Sequence, residues 1–139
     1  MRWLNPKRFY GFVLYDHVRP VELFSALNLL AWSKVLITDP LVLARDSYQT
    51  FQSLPATVWA AIFSAAALLQ MTGIFLRHAH TNEVRFIGMA LAAGCWAAIT
   101  VNFVASDVST TAPANYALLT LMTAISGGFL GWKTSFPIS

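Results

Sequence analysis

The stretch Pro55-Ala-Thr-Val-Trp-Ala-Ala-Ile-Phe-Ser-Ala-Ala-Ala-Leu-Leu-Gln-Met-Thr-Gly-Ile-Phe-Leu76 runs for 22 residues without a charged side chain. At a rise of about 1.5 Å per residue, a helix of this length spans the ~30 Å hydrocarbon core of a bilayer. In lipid, a single apolar segment can satisfy its own backbone N–H and C=O groups only by coiling into a helix. Three more stretches read the same way: Val21 to Ile37, Phe86 to Val104 and Pro113 to Trp132. Pro20 opens the first and Asp39-Pro40 stops it, because proline lacks the N–H that the next helical turn needs. Before the last, Thr110 or Thr111 can cap, and Pro113 fits the first turn, where its missing N–H costs nothing.

Composition points the same way. Of 139 residues, 57% are apolar or aromatic and 11% are charged, against about 25% charged in a soluble domain. A soluble fold of this size is excluded, and four spans leave room only for short connectors. The net charge of +3 does not mark a nucleic-acid surface, because the nine basic residues are scattered between apolar runs. The lone Cys95 lies inside an apolar segment and supports neither a disulfide framework nor a thiolate metal site. Residues 1–20 mix Trp3, Phe9, Tyr10 and Phe12 with charges and lack the apolar core of a cleaved signal. The expected fold is all-α: an integral membrane bundle of four transmembrane helices over residues 21–132. A juxtamembrane arm (1–20) precedes it and a short tail (133–139) follows.

The bases set an orientation. Arg2, Lys7, Arg8, Arg19, Arg77, Arg85 and Lys133 fall on one side, while the other holds only Lys34 and Arg45. The positive-inside rule then puts both termini in the cytoplasm. Glu22 and Lys34, near opposite ends of the first span, are expected to reach the headgroups. Between the first two spans, Leu41, Ala44, Tyr48 and Phe51 recur at helical spacing. They form either a short interfacial helix or an irregular loop.

In lipid, helices gain little by hiding apolar surface from one another, so small side chains and interhelical hydrogen bonds hold a bundle together. Small-residue faces are read at Ala56, Ala60 and Ser64, at Ala90, Gly94 and Ala98, and at Thr120, Ala124, Gly127 and Gly131. They serve packing within one bundle or association between chains, so a homo-oligomer is expected. The intramembrane polar residues are Glu22, Ser25 and Asn28 on one face of the first helix, Gln70 in the second and Asn102 in the third. Gln70 shares a face with Trp59 and Phe63 rather than with the small residues. Interhelical hydrogen bonding is the role expected of Asn28, Gln70 and Asn102, ahead of pore lining, and no ionisable residue of the relay or transporter kind lies at mid-depth.

Catalytic, cofactor and metal sites are not expected. His78 and His80 point about 200 degrees apart on a helix and cannot share a metal, and His17 lies outside the spans. Arg77 to Glu83 faintly matches the arginine-histidine-asparagine-glutamate signature of membrane-bound glutathione-dependent enzymes, but there the motif joins the first two spans and here the second and third. No Ser-His-Asp set, carboxylate pair or glycine-rich phosphate loop is available.

A charged, aromatic arm leads into Val21-Glu22-Leu23-Phe24, the second helix opens near Pro55 and Trp59, and the connector spans Arg77 to Arg85. A Ser109-Thr110-Thr111 turn precedes Tyr116, and Gly131-Trp132-Lys133 closes the last helix. In this layout the chain resembles small membrane proteins of tailed bacteriophages often labelled holin-like. The resemblance implies a multi-pass protein of the bacterial host inner membrane that oligomerises to permeabilise it during lysis. Usual holins have one to three spans, and four spans with both ends inside depart from that pattern. The alternative is a phage membrane interaction protein that makes no pore, serving in superinfection exclusion or as partner of a virion or injection apparatus, with the 1–20 arm as docking surface. A small transporter or anchor subunit ranks below both. The expected partners are the bilayer, further copies of the chain and another phage or host membrane protein.

Overall fold

The computed structural model describes residues 16–76, 80–106 and 109–135. The expectations for arm residues 1–15, for Arg77 and His78, and for tail residues 136–139 fall outside them. Four helices, α1 (Arg19–Thr38), α2 (Ala56–Phe75), α3 (Thr81–Ala105) and α4 (Ala112–Ser135), follow one another. Each is long and apolar enough to cross a bilayer, and the chain is an all-α, multi-pass membrane protein. The prolines act as expected. Pro20 lies in the first turn of α1 and Asp39 ends that helix ahead of Pro40. Pro55 stands directly before α2, and the Ala112 N–H donates to Thr110 Oγ1 at 3.3 Å at the start of α4.

The third helix departs from expectation. It begins at Thr81 rather than Phe86, so Arg85 is inside the helix instead of in a solvated connector. Its first turn is held by a 3.0 Å contact between His80 Nδ1 and Glu83 Oε2. A charge does not end a helix when its guanidinium is paired inside the bundle, and Arg85 is 3% exposed.

The helices pack in chain order, α1 on α2, α2 on α3 and α3 on α4, whereas α1 and α4 meet only sparsely. Within its most apolar stretch α3 is 44% buried and α4 only 17%, so α3 is the centre of the bundle and α4 an outer wall. On α2 the buried positions Ala56, Ala60, Phe63, Ala67, Gln70 and Ile74 follow alternating steps of four and three. The small residues and the Phe63–Gln70 line therefore share one face, not the two that were expected. That face sets the spacing to its neighbours: the Ser33 hydroxyl of α1 reaches the Ala60 carbonyl at 2.9 Å.

The connector after α1 forms two 3-10 segments, Pro40–Ala44 and Asp46–Ser53. It is helical, as the spacing of Leu41, Ala44, Tyr48 and Phe51 suggested, and it folds over the end of the bundle. Val42, Leu43 and Phe51 are buried, while Leu41 is outside. Phe51 sets its ring against Trp59 at 4.6 Å, and Trp59 Nε1 donates to the Phe51 carbonyl at 2.9 Å. Asn102 Nδ2 of α3 donates to the Ser47 carbonyl at 2.8 Å. The Phe51 carbonyl also accepts the Leu54 N–H at 3.4 Å, and these bonds fasten the connector to the ends of α2 and α3.

Candidate functional site

Helices α1 and α3 both start at the end where α2 and α4 finish, so residues near their N-termini share a depth. This brings Glu22 and Arg85 together. Arg85 Nε lies 2.9 and 3.0 Å from the two Glu22 carboxylate oxygens, and Nη2 lies 2.7 Å from Oε2. Nη1 reaches Asp16 Oδ2, just ahead of α1, at 2.7 Å. Arg19 Nε stands 3.7 Å from the same oxygen, and Asp16 Oδ1 accepts the Val18 N–H at 3.1 Å. Glu22 is fully buried, which corrects the expectation that it extends to the headgroups; the pairing replaces the water it would otherwise seek.

Burial pushes the Asp16 carboxyl upward, but the hydrogen bond and charge of Arg85, the Val18 N–H and the charge of Arg19 outweigh it. Its pKa falls below the ordinary 3.8. All three nitrogens of Arg85 are committed to carboxylates, so the cluster ties the residues before α1, α1 itself and α3 into one unit.

Two glycines make room for it. A Cβ on Gly73 of α2 would lie 2.8 Å from Arg85 Cγ and 3.3 Å from its Cα, and one on Gly88 of α3 would lie 3.2 Å from the Gln70 backbone nitrogen. Through these glycines α2 and α3 approach closely enough for Arg85 and Gln70 to lie over the opposing backbone.

Deeper in the bundle the polar groups are bonded to one another. The Ser25 hydroxyl donates to Gln70 Oε1 at 3.3 Å and accepts the Trp96 indole N–H at 2.9 Å, while Gln70 Nε2 points at Met89 Sδ at 3.1 Å. The single Ser33 proton goes to the Ala60 carbonyl, which makes Ser64 the donor in the 2.6 Å Ser33–Ser64 pair. Toward the connector an aromatic cluster takes over. Tyr116 of α4 stacks on Trp96 and Phe103 with centroids 5.8 and 5.4 Å apart, and Trp32 meets it edge-on at 5.8 Å.

The expected site residues divide accordingly. Gln70 makes the interhelical bonds assigned to it, with Ser25 as its partner. Asn102 is buried but bonds to the connector rather than to another span, and its Oδ1 has no partner among the described residues. Asn28 departs from expectation: its Nδ2 donates to the Phe24 carbonyl of its own helix at 2.8 Å. On α2, Ala56 and Ala60 are buried and Ser64 is half-buried. Ala98 is partly covered, but Ala90 and Gly94 turn outward, and a Cβ on Gly94 would meet nothing within 4 Å. On α4, Gly127 packs on Met89 and Gly131 on Phe86. Thr120 faces Thr100 at 3.4 Å, and Ala124 is exposed. On α3 a stripe read every fourth residue turns about 40 degrees per step on a helix with 3.6 residues per turn, so Ala90 and Gly94 leave the face that Ala98 keeps; the spacing of the α4 stripe does not explain why Ala124 is exposed.

Sequence reasoning missed Arg85, Asp16, Gly73, Gly88 and the Trp96 N–H. A signal for the first two was present: a carboxylate and a guanidinium at the starts of two helices entering from the same side are at matching depth.

Compared with known proteins, the chain matches no family model, no curated protein and no solved structure.

Proposed function

We propose that this chain is a non-catalytic membrane interaction protein of the small phage type its sequence resembles. In this reading it resides in the bacterial host inner membrane with both termini in the cytoplasm, and it does not open a lesion. The observation that supports this is the internal use of its polar groups. A lesion former needs a face that can turn toward water, yet Glu22, Ser25, Gln70 and Asn102 are each bonded within one bundle. What is left outward is a broad apolar wall, including Leu121, Ile125 and Phe129 of α4, against which another membrane protein can pack.

The test is induced expression in bacteria while membrane potential and growth are followed. Photo-crosslinkers are placed at Ile125 and Phe129. Sustained potential with discrete adducts to a second membrane protein is the expected result. An abrupt collapse of potential at a fixed time after induction would overturn it and favour the holin-like reading. That second reading has its own support in the outward Ala90, Gly94 and Ala124, which are the small residues a self-assembling lesion would present.

A further inference from the structure

Because α4 leaves α1 largely uncovered, a furrow runs along the outer side of α1. It consists of two adjoining hollows that share Asn28. One, of about 510 Å³, lies between Phe24 and Asn28 and the Asn115, Leu119 and Met122 side of α4. The other, of about 250 Å³, continues past Ala31 and Val35 to Tyr48 of the connector. The α1 residues Phe24, Asn28, Ala31 and Val35 along it follow steps of four and three, the spacing of a helix–helix seam, and Leu27 is exposed beside Asn28 in the sequence. Phe24, Leu27 and Val35 are 56%, 52% and 45% exposed.

Asn28 decides what fills the furrow. It is the tenth residue of a 20-residue span, midway along it, and the hollow it lines runs to Thr110, Thr111 and Asn115 at the start of α4. One of its amide protons goes to the Phe24 carbonyl. No other described residue meets its remaining N–H or its carbonyl oxygen. A lipid tail cannot satisfy either, and a polar group left without a partner in hydrocarbon is costly. Two copies inserted in the same sense are related by an axis along the membrane normal, so each residue meets its counterpart at equal depth. A carboxamide carries both a donor and an acceptor and is complementary to itself.

We propose that α1 of a second copy occupies this furrow, forming a two-fold dimer in which Asn28 pairs with Asn28 of the other copy. Ala31, one turn away, lets the backbones approach, and a single polar residue in an apolar seam fixes its register. The dimer seam is centred on α1 rather than on the Ile125 and Phe129 end of α4, and it holds whether or not the chain permeabilises its membrane.

The test uses the full-length protein in lipid vesicles, in a Cys95→Ser background, with single cysteines introduced one at a time. Oxidation is expected to give dimers from Phe24→Cys, Leu27→Cys, Ala31→Cys and Val35→Cys but not from Ile125→Cys on the α4 wall. By fluorescence energy transfer on dilution with lipid, Asn28→Val weakens the dimer roughly 3- to 30-fold, the range of one interhelical polar pair. Asn28→Gln stays closer to the parent. All three proteins keep the same helicity and melting in detergent, because among the described residues Asn28 bonds to no other helix. A monomer at every dilution, crosslinking strongest at Ile125→Cys, or an Asn28→Val protein that associates as well as the parent would each overturn the proposal. So would a monomer that retains a lipid in the furrow.

Discussion

Replacing Arg85 with alanine removes four N–H···O contacts of 2.7 to 3.0 Å, three to Glu22 and one to Asp16. Charge-assisted bonds at about 1.5–3 kcal/mol each would together rival the roughly 5–15 kcal/mol that holds a whole domain folded. Bonds within one cluster are not additive, so that total is too large. The governing quantity is the charge left behind. Glu22 is fully buried, and stranding one partner of a buried pair costs about 3–5 kcal/mol. Asp16 keeps 20% of its side chain in contact with solvent and can rehydrate, so it adds little. Arg85→Ala is therefore expected to lower stability by about 3–5 kcal/mol. Arg85→Lys should fall between it and the parent, because one ammonium cannot fork onto two carboxylates.

The double variant Arg85→Met with Glu22→Met removes both charges and should return to within about 1 kcal/mol of the parent, since an apolar replacement of similar volume removes the desolvation cost. The assay is unfolding in mixed detergent micelles by rising SDS, followed by tryptophan fluorescence. A single-variant loss under about 1 kcal/mol, or a double variant whose loss equals the two singles added, would refute the assignment of Arg85 as the clamp of this bundle.

Two further outcomes follow from the same geometry. Gly73→Ala and Gly88→Ala place a Cβ within 2.8 and 3.2 Å of Arg85 and Gln70 respectively and should cost about 1–3 kcal/mol by overpacking. Gly94→Ala and Gly128→Ala meet nothing within 4 Å and should be neutral or stabilise by up to about 1 kcal/mol through helix propensity; equal melting shifts for all four would contradict this. The Asp16 carboxyl sits below its ordinary 3.8, so its contribution to stability is complete above 3.8 and is lost as pH falls through the lower folded value. Stability measured against pH should show that loss in the parent and not in Asp16→Asn.

The four spans were legible because apolar length in lipid admits few solutions: the Pro55 to Leu76 run and the prolines at 20, 40, 55 and 113 settle where helices lie. The third span was misread at its start because Arg85 was counted as a topology signal. That reading treats each charge singly, as a residue that must find water. A charge inside a span can also find a counter-charge, and which one depends on depth, a property of the folded topology and not of sequence distance. Glu22 and Arg85 are 63 residues apart yet share a depth, because the two connections between α1 and α3 return the chain to the end it left. The outward stripes failed for a related reason. Ala90 and Gly94 are small, and smallness permits close approach without saying whether a neighbour is there.

The opposite case is more informative. Asn28 was expected to bond between helices because a mid-span carboxamide needs a partner, and among the described residues it finds only its own helix's backbone. The premise was about energetics and still applies; the assumption that the partner lay in the same chain was about packing. A polar group at mid-depth that the monomer leaves half satisfied points to contact with another chain more specifically than any small-residue stripe. It demands a hydrogen-bonding partner at one depth, which a lipid-facing glycine does not.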